Sequence, residues 1–179
     1  MPTDKIIYCN LDSPLGDMIA GATPSGVCFL EWHDRGGVER IQQRVSKRYR
    51  AELTEGENEH LKSLRKELIS YFEGKLTRFT TPIDVTGTKF EMVVWNELLK
   101  IPCGETRSYG QMAKLIGNPG ASRAVGRANG ANYLAVVIPC HRVIDSNGNL
   151  HGYGGGVWRK KWMLELEQSV CGTKLTLKL

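Results

Sequence analysis

The sequence predicts an α+β protein with a β-rich N-terminal part and a mainly helical C-terminal part. Short segments rich in β-branched and aromatic residues fill the N-terminal end, whereas two helix-capping motifs open helices in the second half. The extended stretch "FTTPIDVTG" lies between them and coincides with a change in composition. We therefore expect an N-terminal domain at residues 1–85, a C-terminal domain at residues 86–170 and a tail at residues 171–179.

The N-terminal segments predict a small antiparallel sheet. The segments "KIIYCNL", "GDMIAGA" and "GVCFLEW" have the composition of strands, and "DSPLG" and "TPSG" supply turn residues between them. Three strands in this order form a meander, which a short helix near "VERIQQRVSKR" follows. Apolar residues at helical spacing then predict a second helix, which Gly74 ends in a left-handed conformation. These apolar residues are Leu61, Leu64, Leu68 and Phe72.

Two capping boxes predict the first helices of the C-terminal half. "TKFE" at 88–91 and "SYGQ" at 108–111 each place Thr or Ser three residues before Glu or Gln. Apolar residues continue both helices, namely Phe90, Val94 and Leu98 in the first and Met112, Leu115 and Ile116 in the second. The helix breaker "GNPG" comes next, and another helix runs through "SRAVGRANGA". Helix, tight turn and helix form the outline of a helix-turn-helix.

The end of the chain predicts one more helix. Trp158, Trp162 and Leu166 are spaced four residues apart, so they share one helix face, which we expect to pack into the core. The tail "CGTKLTLKL" alternates apolar and polar residues, a pattern that fits either an added strand or a frayed end.

Composition and charge limit the classes of function. The net charge is +5, a mild basic excess that permits nucleic-acid binding without demonstrating it. The N-terminus lacks a signal-peptide pattern, and no apolar run reaches transmembrane length. The five cysteines are odd in number and contain no CxxC motif, which argues against a disulfide framework. We expect a cytoplasmic protein that does not associate with membranes.

The second helix of the predicted helix-turn-helix consists mostly of small residues. Only Arg123 and Arg127 have long side chains. The small residues are Ala121, Ser122, Ala124, Gly126, Ala128, Gly130 and Ala131. They allow the helix to approach a second surface closely. That surface is either another helix or the minor groove of DNA, where bulk is excluded and sequence readout is weak.

Two cysteines follow an Ile-Pro pair, and one of them has the neighbours of a nucleophile. Cys103 in "IPCGET" has no adjacent histidine or lysine, so we interpret it as a small buried residue. Cys140 in "IPCHRV" precedes His141 and Arg142, and a neighbouring base or cation favours the reactive thiolate. Cys140 is therefore the candidate nucleophile.

Longer stretches around Cys140 resemble a known family. "IPCHRVI", with "GNPGASRAVGRANGAN" upstream and "GYGGGVWRKKWMLELE" downstream, is similar to the O6-alkylguanine-DNA alkyltransferases, also called methylated-DNA–protein-cysteine methyltransferases. The similarity extends from about "GTKFEMVVW" to "LELE", and "LDSPLG" resembles the family's N-terminal hairpin. The resemblance implies an N-terminal α/β domain of ribonuclease-H-like topology and a helical, catalytic and DNA-binding C-terminal domain.

The resemblance implies DNA repair by direct reversal. Members of the family flip an O6-methylguanine out of duplex DNA and transfer its methyl or alkyl group irreversibly to their own cysteine, once per molecule. The implied partner is double-stranded DNA that contains alkylated bases. No cofactor is implied, because the lesion itself is the methyl donor. We expect a monomer, since no feature of the sequence requires a larger assembly. Activity on O4-methylthymine is left open.

The family motif implies catalytic roles for five residues. Cys140 matches the methyl acceptor, and His141 matches the histidine that deprotonates the thiol through a bridging water. Glu167 matches the glutamate that orients this histidine, and Asn132 matches the asparagine that braces the active-site loop. Tyr109 matches the tyrosine that helps rotate the nucleotide and contacts the flipped base.

Further residues match the family's contacts to DNA and to the base. Arg123 matches the arginine that fills the vacated place in the stack. The other implied DNA-binding residues of the same helix are Ser122, Ala124, Arg127 and Ala128. The alkylguanine pocket is implied at Tyr153, Val143 and Gly154. Gly154 departs from the pattern, since some members carry a serine there whose hydroxyl contacts the base oxygen.

Some members of the family also bind a structural zinc in the N-terminal domain. Cys9, Cys28 and His33 are an alternative three-ligand set, but they do not match the family's ligand positions. We therefore expect no metal site and interpret these residues as core cysteines and a surface histidine.

Three other functions compete with methyl transfer. Alkyltransferase-like proteins bind the lesion without transfer, but they replace the reactive cysteine, which this chain keeps at Cys140. A helix-turn-helix regulator with Cys140 as a sensor needs an effector or dimerisation segment, for which the chain has little room. A cysteine hydrolase needs an oxyanion loop and a spaced triad, which the sequence does not show.

Overall fold

The computed structural model describes residues 5–150 and 152–178, so the outermost residues of the predicted N-terminal domain and tail lie outside the described part. The chain forms two compact units, one that ends at Thr86 and one that begins at Gly87. The predicted α+β class is confirmed. Within the described residues, no helix has both the length and the apolar character needed to cross a membrane.

The N-terminal unit combines a four-stranded sheet with two helices. The strands are β1 (Ile6–Leu11), β2 (Met18–Thr23), β3 (Gly26–Trp32) and β4 (Leu53–Glu55), and the helices are α1 (Val38–Tyr49) and α2 (Glu59–Phe72). The sheet order is β3-β2-β1-β4; β2 is antiparallel to both neighbours, and β4 is parallel to β1. The predicted meander is therefore confirmed, and β4 makes the sheet mixed. Composition does not predict β4, because Leu-Thr-Glu is short and mostly exposed.

Helix α2 packs on the sheet through the apolar face predicted from its spacing. Leu61, Leu64 and Leu68 are buried, whereas Phe72 at the helix end is only half-buried. Gly74 follows the helix with φ of 72°, the predicted left-handed conformation. Strands β2 and β3 are buried along their whole length, so this unit has a hydrophobic core of its own.

The C-terminal unit is mainly helical. Its elements are α3 (Lys89–Leu98), β5 (Arg107–Ser108), α4 (Tyr109–Leu115), α5 (Ser122–Gly130), a 3-10 helix (Cys140–Arg142), β6 (Val143–Ile144) and α6 (Val157–Cys171). Both predicted capping boxes are present, on α3 and on α4. Strands β5 and β6 pair in parallel, which brings the chain after the 3-10 helix beside the start of α4.

Helices α4 and α5 form the predicted helix-turn-helix and pack against α3. Trp95 of α3 is buried, and its indole Nε1 donates to the carbonyl of Ala128 at 2.8 Å. Val125 is also fully buried, whereas Leu115, predicted in the apolar stripe of α4, is 55% exposed. The inner face of α5 therefore packs against protein, and its outer face stays available.

The prediction for the packing face of α6 is wrong. Trp158 is 55% exposed, and Trp162 and Leu166 are only half-buried. The buried face instead consists of Arg159, Lys160, Met163, Leu164 and Glu167. Apolar spacing fails here because α6 turns charged side chains inward, where other polar groups bind them.

The tail forms neither a full strand nor a frayed end over residues 172–178. Lys178 pairs with Asn149 in an isolated parallel bridge, and Leu175 and Leu177 pack against a small cluster of buried residues. This cluster consists of Ile144, Leu150 and Leu164. Helix α6 extends to Cys171, so the first residue of the predicted tail is helical.

Candidate active site

Two consecutive tight turns deliver the chain to Cys140. Val136 has φ of 69°, and the N–H of Val137 donates to the carbonyl of Ala135 at 2.8 Å, which together describe a γ-turn. An inverse γ-turn follows, centred on Pro139 (φ −80°, ψ 60°), where the N–H of Cys140 donates to the carbonyl of Ile138 at 2.8 Å. A β-branched residue rarely adopts positive φ, so surrounding contacts must hold this loop.

Two buried asparagines supply these contacts. The side-chain amide of Asn132 donates to the carbonyl of Ile138 at 3.0 Å and accepts from the N–H of Leu134 at 3.0 Å. Asn129, near the end of α5, donates to the carbonyl of Cys140 at 3.2 Å. Asn132 thus braces the loop, as the family pattern implies. Asn129 also braces this loop, but it is not predicted from the sequence. Its position three residues before Asn132 could have indicated that it lies near the same loop.

Cys140 opens the 3-10 helix and is buried, with 6% of its surface exposed. The N–H of Arg142 donates to the carbonyl of Pro139 at 3.0 Å, which closes this short helix. A buried thiol of this kind is poorly accessible to bulk solutes.

A buried network of charged groups begins at the residue after Cys140. Nε2 of His141 lies 2.7 Å from Oε1 of Glu167, and neither side chain is more than 1% exposed. Arg142 binds the same carboxylate in a bidentate manner through one edge of its guanidinium, with Nε to Oε2 and Nη2 to Oε1 each at 2.9 Å. Its third contact is from Nη1 to the carbonyl of Ile101 at 2.6 Å, and the N–H of Gly104 donates to Oε2 of Glu167 at 3.3 Å. The carboxylate is therefore fully satisfied.

The electrostatics of this network define the protonation states. Burial alone would raise the pKa of the Glu167 carboxyl, but His141 and the bidentate Arg142 outweigh it and hold the pKa well below its usual range. Burial lowers the pKa of the His141 imidazole; Glu167 opposes this effect, and the charges of Arg142 and Lys160 add to it. We take Glu167 as ionised and His141 as neutral, because Arg142 already balances the carboxylate. A neutral imidazole is the form that accepts a proton.

This assignment predicts how stability depends on pH. A buried histidine with a lowered folded-state pKa stays neutral while the unfolded histidine, with a pKa near 6.5, gains a proton. Stability is therefore complete above about pH 6.5 and falls below it, with a slope of up to about 1.4 kcal/mol per pH unit from this one group. Protonation of Glu167 lowers stability further, but only in the more acidic range in which carboxylates take up protons. Chemical unfolding of the wild type at pH 7.5, 6 and 5 measures this slope.

The variant His141→Gln isolates the contribution of the imidazole. Glutamine still donates a hydrogen bond to Glu167 but does not titrate, so the slope between pH 6.5 and 5 flattens by about 1 kcal/mol per pH unit. Equal slopes in the variant and the wild type would contradict a neutral buried His141.

Lys160 is a further member of the site that was not predicted. Its side chain is fully buried, and Nζ donates to the carbonyl of Val143 at 2.6 Å. Burial lowers the pKa of Lys160 to about 8, against the opposing influence of Cys140 and Asp145. Its positive charge favours the thiolate form of Cys140. The usable signal in the sequence is its position seven residues, or two helical turns, before Glu167 on the same face of α6.

Tyr109 lies at the first position of α4 and is half-buried. The Tyr109 ring packs against α5 at Gly126. A Cβ atom placed on Gly126 would lie 3.8 Å from the ring, which is van der Waals contact. Burial raises the pKa of Tyr109, and the charges of Asp145 and Cys140 raise it further. The hydroxyl is therefore protonated at neutral pH and able to donate a hydrogen bond.

The residues of α5 divide between its two faces. Arg123 and Arg127 are exposed, and Ser122 and Ala124 are half-buried beside them. Ala128 is buried at 4% exposure against α3, with its carbonyl bound by Trp95. This placement revises the interpretation of Ala128, which packs the helix and does not belong to its exposed face.

The residues of the predicted base pocket have different exposures. Val143 is fully buried and pairs with Arg107 in the short β5–β6 ladder. Tyr153 is half-buried with its hydroxyl enclosed, and Gly154 is exposed. The carbonyl of Tyr153 accepts from the N–H of Gly156 just before α6, which fixes this loop against the helix.

Cys9, Cys28 and His33 make their contacts within the N-terminal unit. Cys9 and Cys28 are buried, and Nε2 of His33 lies 3.0 Å from the side-chain oxygen of Asn10. Over residues 5–150 and 152–178, no group of three or more His, Cys, Asp and Glu side chains is arranged to hold a metal ion.

Comparison with known proteins adds independent evidence. Residues 6–85 match the ribonuclease-like domain, and residues 89–169 match the DNA-binding domain, of 6-O-methylguanine DNA methyltransferase. A methylated-DNA–protein-cysteine methyltransferase of Mycobacterium leprae is 43% identical over 96% of this chain and 99% of its own length.

Solved structures agree with this similarity. The O6-methylguanine methyltransferase of Mycobacterium tuberculosis is 42% identical, with a TM-score of 0.78 over 92% of this chain and 93% of that one. An M. tuberculosis OGT in complex with DNA is 41% identical, with a TM-score of 0.79 over 92% of this chain and 94% of that one. Both domains and nearly the whole length are thus accounted for, and the chain belongs to the 6-O-methylguanine DNA methyltransferase family.

Proposed function

We propose that this chain repairs O6-methylguanine in duplex DNA by transferring the methyl group irreversibly to Cys140. The observation that carries the proposal is the buried arrangement of Cys140, His141 and Glu167, in which Nε2 of His141 lies 2.7 Å from the carboxylate of Glu167. A methyl group on oxygen is a poor electrophile, so its transfer requires a thiolate. The network supplies a base for the thiol proton, and Lys160 supplies a nearby positive charge.

In the proposed reaction, His141 accepts the thiol proton through a bridging water. The Cys140 sulfur then forms a bond to the methyl carbon, and the bond from that carbon to O6 breaks. The electron pair stays on the guanine, where a hydrogen bond from Tyr109 stabilises it. The guanine then takes up one proton from water and His141 releases the thiol proton to water, so the base is restored and the charges balance. The product thioether has no thiol to regenerate, so each molecule acts once. One chain carries all of these groups, which supports action as a monomer.

The outer face of α5 fits the task of exposing the base. O6 of a stacked guanine is inaccessible to a buried thiol, so the nucleotide must leave the duplex, at a cost of a few kcal/mol. Ser122 and Ala124 add little bulk and permit close approach to the minor groove. In the proposal Arg123 enters the vacated place in the stack, and Arg127 contacts phosphate. In the proposal, Tyr153 and Gly154 line the pocket that receives the base, and the fully buried Val143 supports it from the interior.

The role of Arg123 leads to a specific expectation. Arg123→Ala lowers the transfer rate from duplex DNA by about tenfold, since it removes about 1–2 kcal/mol that stabilises the flipped state. The rate with free O6-methylguanine base changes less than about twofold, because that substrate needs no flipping. Single-turnover rates on the two substrates test this.

The neighbouring arginine provides the matched control. Arg127→Ala removes an equal charge one turn along the same exposed face, so it weakens duplex binding without slowing transfer at saturating DNA. Equal losses on duplex and free base in Arg123→Ala would contradict a role in flipping.

The proposed function is tested by mixing the protein with duplex DNA that holds one O6-methylguanine. Peptide mass spectrometry should locate one added methyl group on Cys140, and the DNA should contain restored guanine. A stable complex with the lesion and no methyl gain would assign the chain to the lesion-binding proteins instead.

A further inference from the structure

Two cysteines outside the proposed reaction lie in contact in the C-terminal unit. Cys103, between α3 and β5, and Cys171, the last residue of α6, have Sγ atoms 3.1 Å apart. Both are thiols, and both are partly exposed, whereas Cys140 is buried. A disulfide bond brings two sulfurs to about 2.05 Å, so closure needs a movement of about 1 Å.

The backbone around this pair makes the contact part of the fold. Gly104 has φ of 81°, and a Cβ there would lie 2.6 Å from the Cβ of Cys171. The Thr173 hydroxyl donates to the carbonyl of Gly104 at 2.9 Å, just beyond the end of α6. The two segments are therefore held together on both sides of the sulfurs, and a glycine is required at position 104.

We propose that Cys103 and Cys171 form an oxidisable dithiol that reacts with a low-molecular-weight disulfide of the glutathione class. In the first step a Cys171 thiolate attacks one sulfur of the small disulfide, which gives a mixed disulfide and releases one small thiolate. In the second step the Cys103 sulfur attacks Sγ of Cys171 and releases the second small thiolate. The two thiol protons end on the two small thiols, so the protein is oxidised by two electrons and the small disulfide is reduced.

The surroundings of Cys103 suggest the order of attack. Burial raises the pKa of the Cys103 thiol to about 12, and its hydrogen bond with the Cys171 sulfur and the charge of Glu167 act in the same direction. Cys103 is therefore a poor first nucleophile. Cys171 therefore reacts first. Cys103 then resolves the mixed disulfide, because its short distance from Cys171 compensates for the small fraction of Cys103 that is a thiolate.

The bond would tie together two segments that hold Glu167. Cys171 lies one turn beyond Glu167 on the same face of α6, and Cys103 precedes Gly104, whose N–H donates to that carboxylate. The two cysteines are 68 residues apart in sequence, so the cross-link restricts most of the unfolded C-terminal unit. Oxidation should stabilise this unit and leave Cys140 as a thiol.

Treatment of the reduced protein with glutathione disulfide tests the inference. After remaining thiols are alkylated under denaturing conditions, peptide mass spectrometry should show a Cys103–Cys171 cross-link and alkylated Cys140. The Tm should rise by about 5 °C or more and return to its starting value with dithiothreitol. Full methyl transfer from O6-methylguanine DNA should remain, and this readout separates failure of the inference from failure of the proposed function.

Two variants make the assignment specific. Cys171→Ser should abolish the oxidation-dependent rise in Tm, whereas Cys28→Ser, which removes a fully buried thiol of the N-terminal unit, should retain it. A lasting glutathione adduct on Cys171, a cross-link that includes Cys140, or an unchanged Tm after oxidation would each overturn the inference.

Discussion

Cys140→Ser abolishes methyl transfer, with a loss of at least about 10⁴-fold in rate, while duplex binding stays within about threefold of the wild type. Serine keeps nearly the same shape at a site braced by Asn129 and Asn132, so the fold and the DNA-binding face persist. Its hydroxyl is a far weaker nucleophile than a thiolate at neutral pH, because it stays protonated. Transfer of radiolabelled methyl from DNA to protein, together with a gel-shift titration on the same DNA, measures both quantities.

Cys103→Ser is the matched control, since it makes the same chemical change in the other Ile-Pro-Cys. Under reducing conditions its rate should stay within about twofold of the wild type, because Cys103 lies beside Cys171 and not in the proposed transfer path. Comparable losses in the two variants, or residual transfer in Cys140→Ser, would contradict Cys140 as the acceptor.

Much of the fold follows from local patterns. The capping boxes at Thr88 and Ser108 are visible as residue pairs three positions apart, and both are formed. The meander follows from alternating strand and turn composition. Strand β4 does not, because its three residues gain their conformation from pairing with β1 and not from their own propensity.

Local sequence likewise predicts some residues of the active site and not others. The order Pro-Cys-His-Arg marks Cys140 and His141, since the residues are adjacent in the sequence. The buried contacts of Lys160 and Arg142 cannot be predicted in this way, because lysine and arginine are rarely buried and their partners lie in other elements. The same fact explains the error on α6, where Trp158 is exposed and charged residues are buried.

Burial of three charged residues around Cys140 has an energetic consequence. Each would be costly alone, but Glu167 accepts hydrogen bonds from His141, Arg142 and Gly104, and Lys160 donates to a carbonyl. The network is therefore stable as a whole and sensitive to the loss of any one member. Such a network holds the imidazole in one orientation, which a catalytic base requires.

Glu167→Gln is expected to lower stability by about 3 kcal/mol and the transfer rate by about 100-fold. The amide has one oxygen where the carboxylate offers two, so it leaves the buried Arg142 charge without compensation. It also removes the negative charge that stabilises an imidazolium as His141 takes the thiol proton. Chemical unfolding gives the stability change, and single-turnover transfer at a temperature where the variant is folded gives the rate.

Two further variants separate the catalytic effect from the structural one. Glu165→Gln removes an exposed carboxylate that lies 3.8 Å from the exposed Lys161 ammonium, so it should change stability by less than about 0.5 kcal/mol. Arg142→Lys keeps the positive charge but loses the fork, so it should lower stability while the transfer rate falls less than about tenfold. Two results would show that the carboxylate acts through packing alone and not through His141. One is a wild-type transfer rate in folded Glu167→Gln; the other is a rate loss in Arg142→Lys as large as the loss in Glu167→Gln.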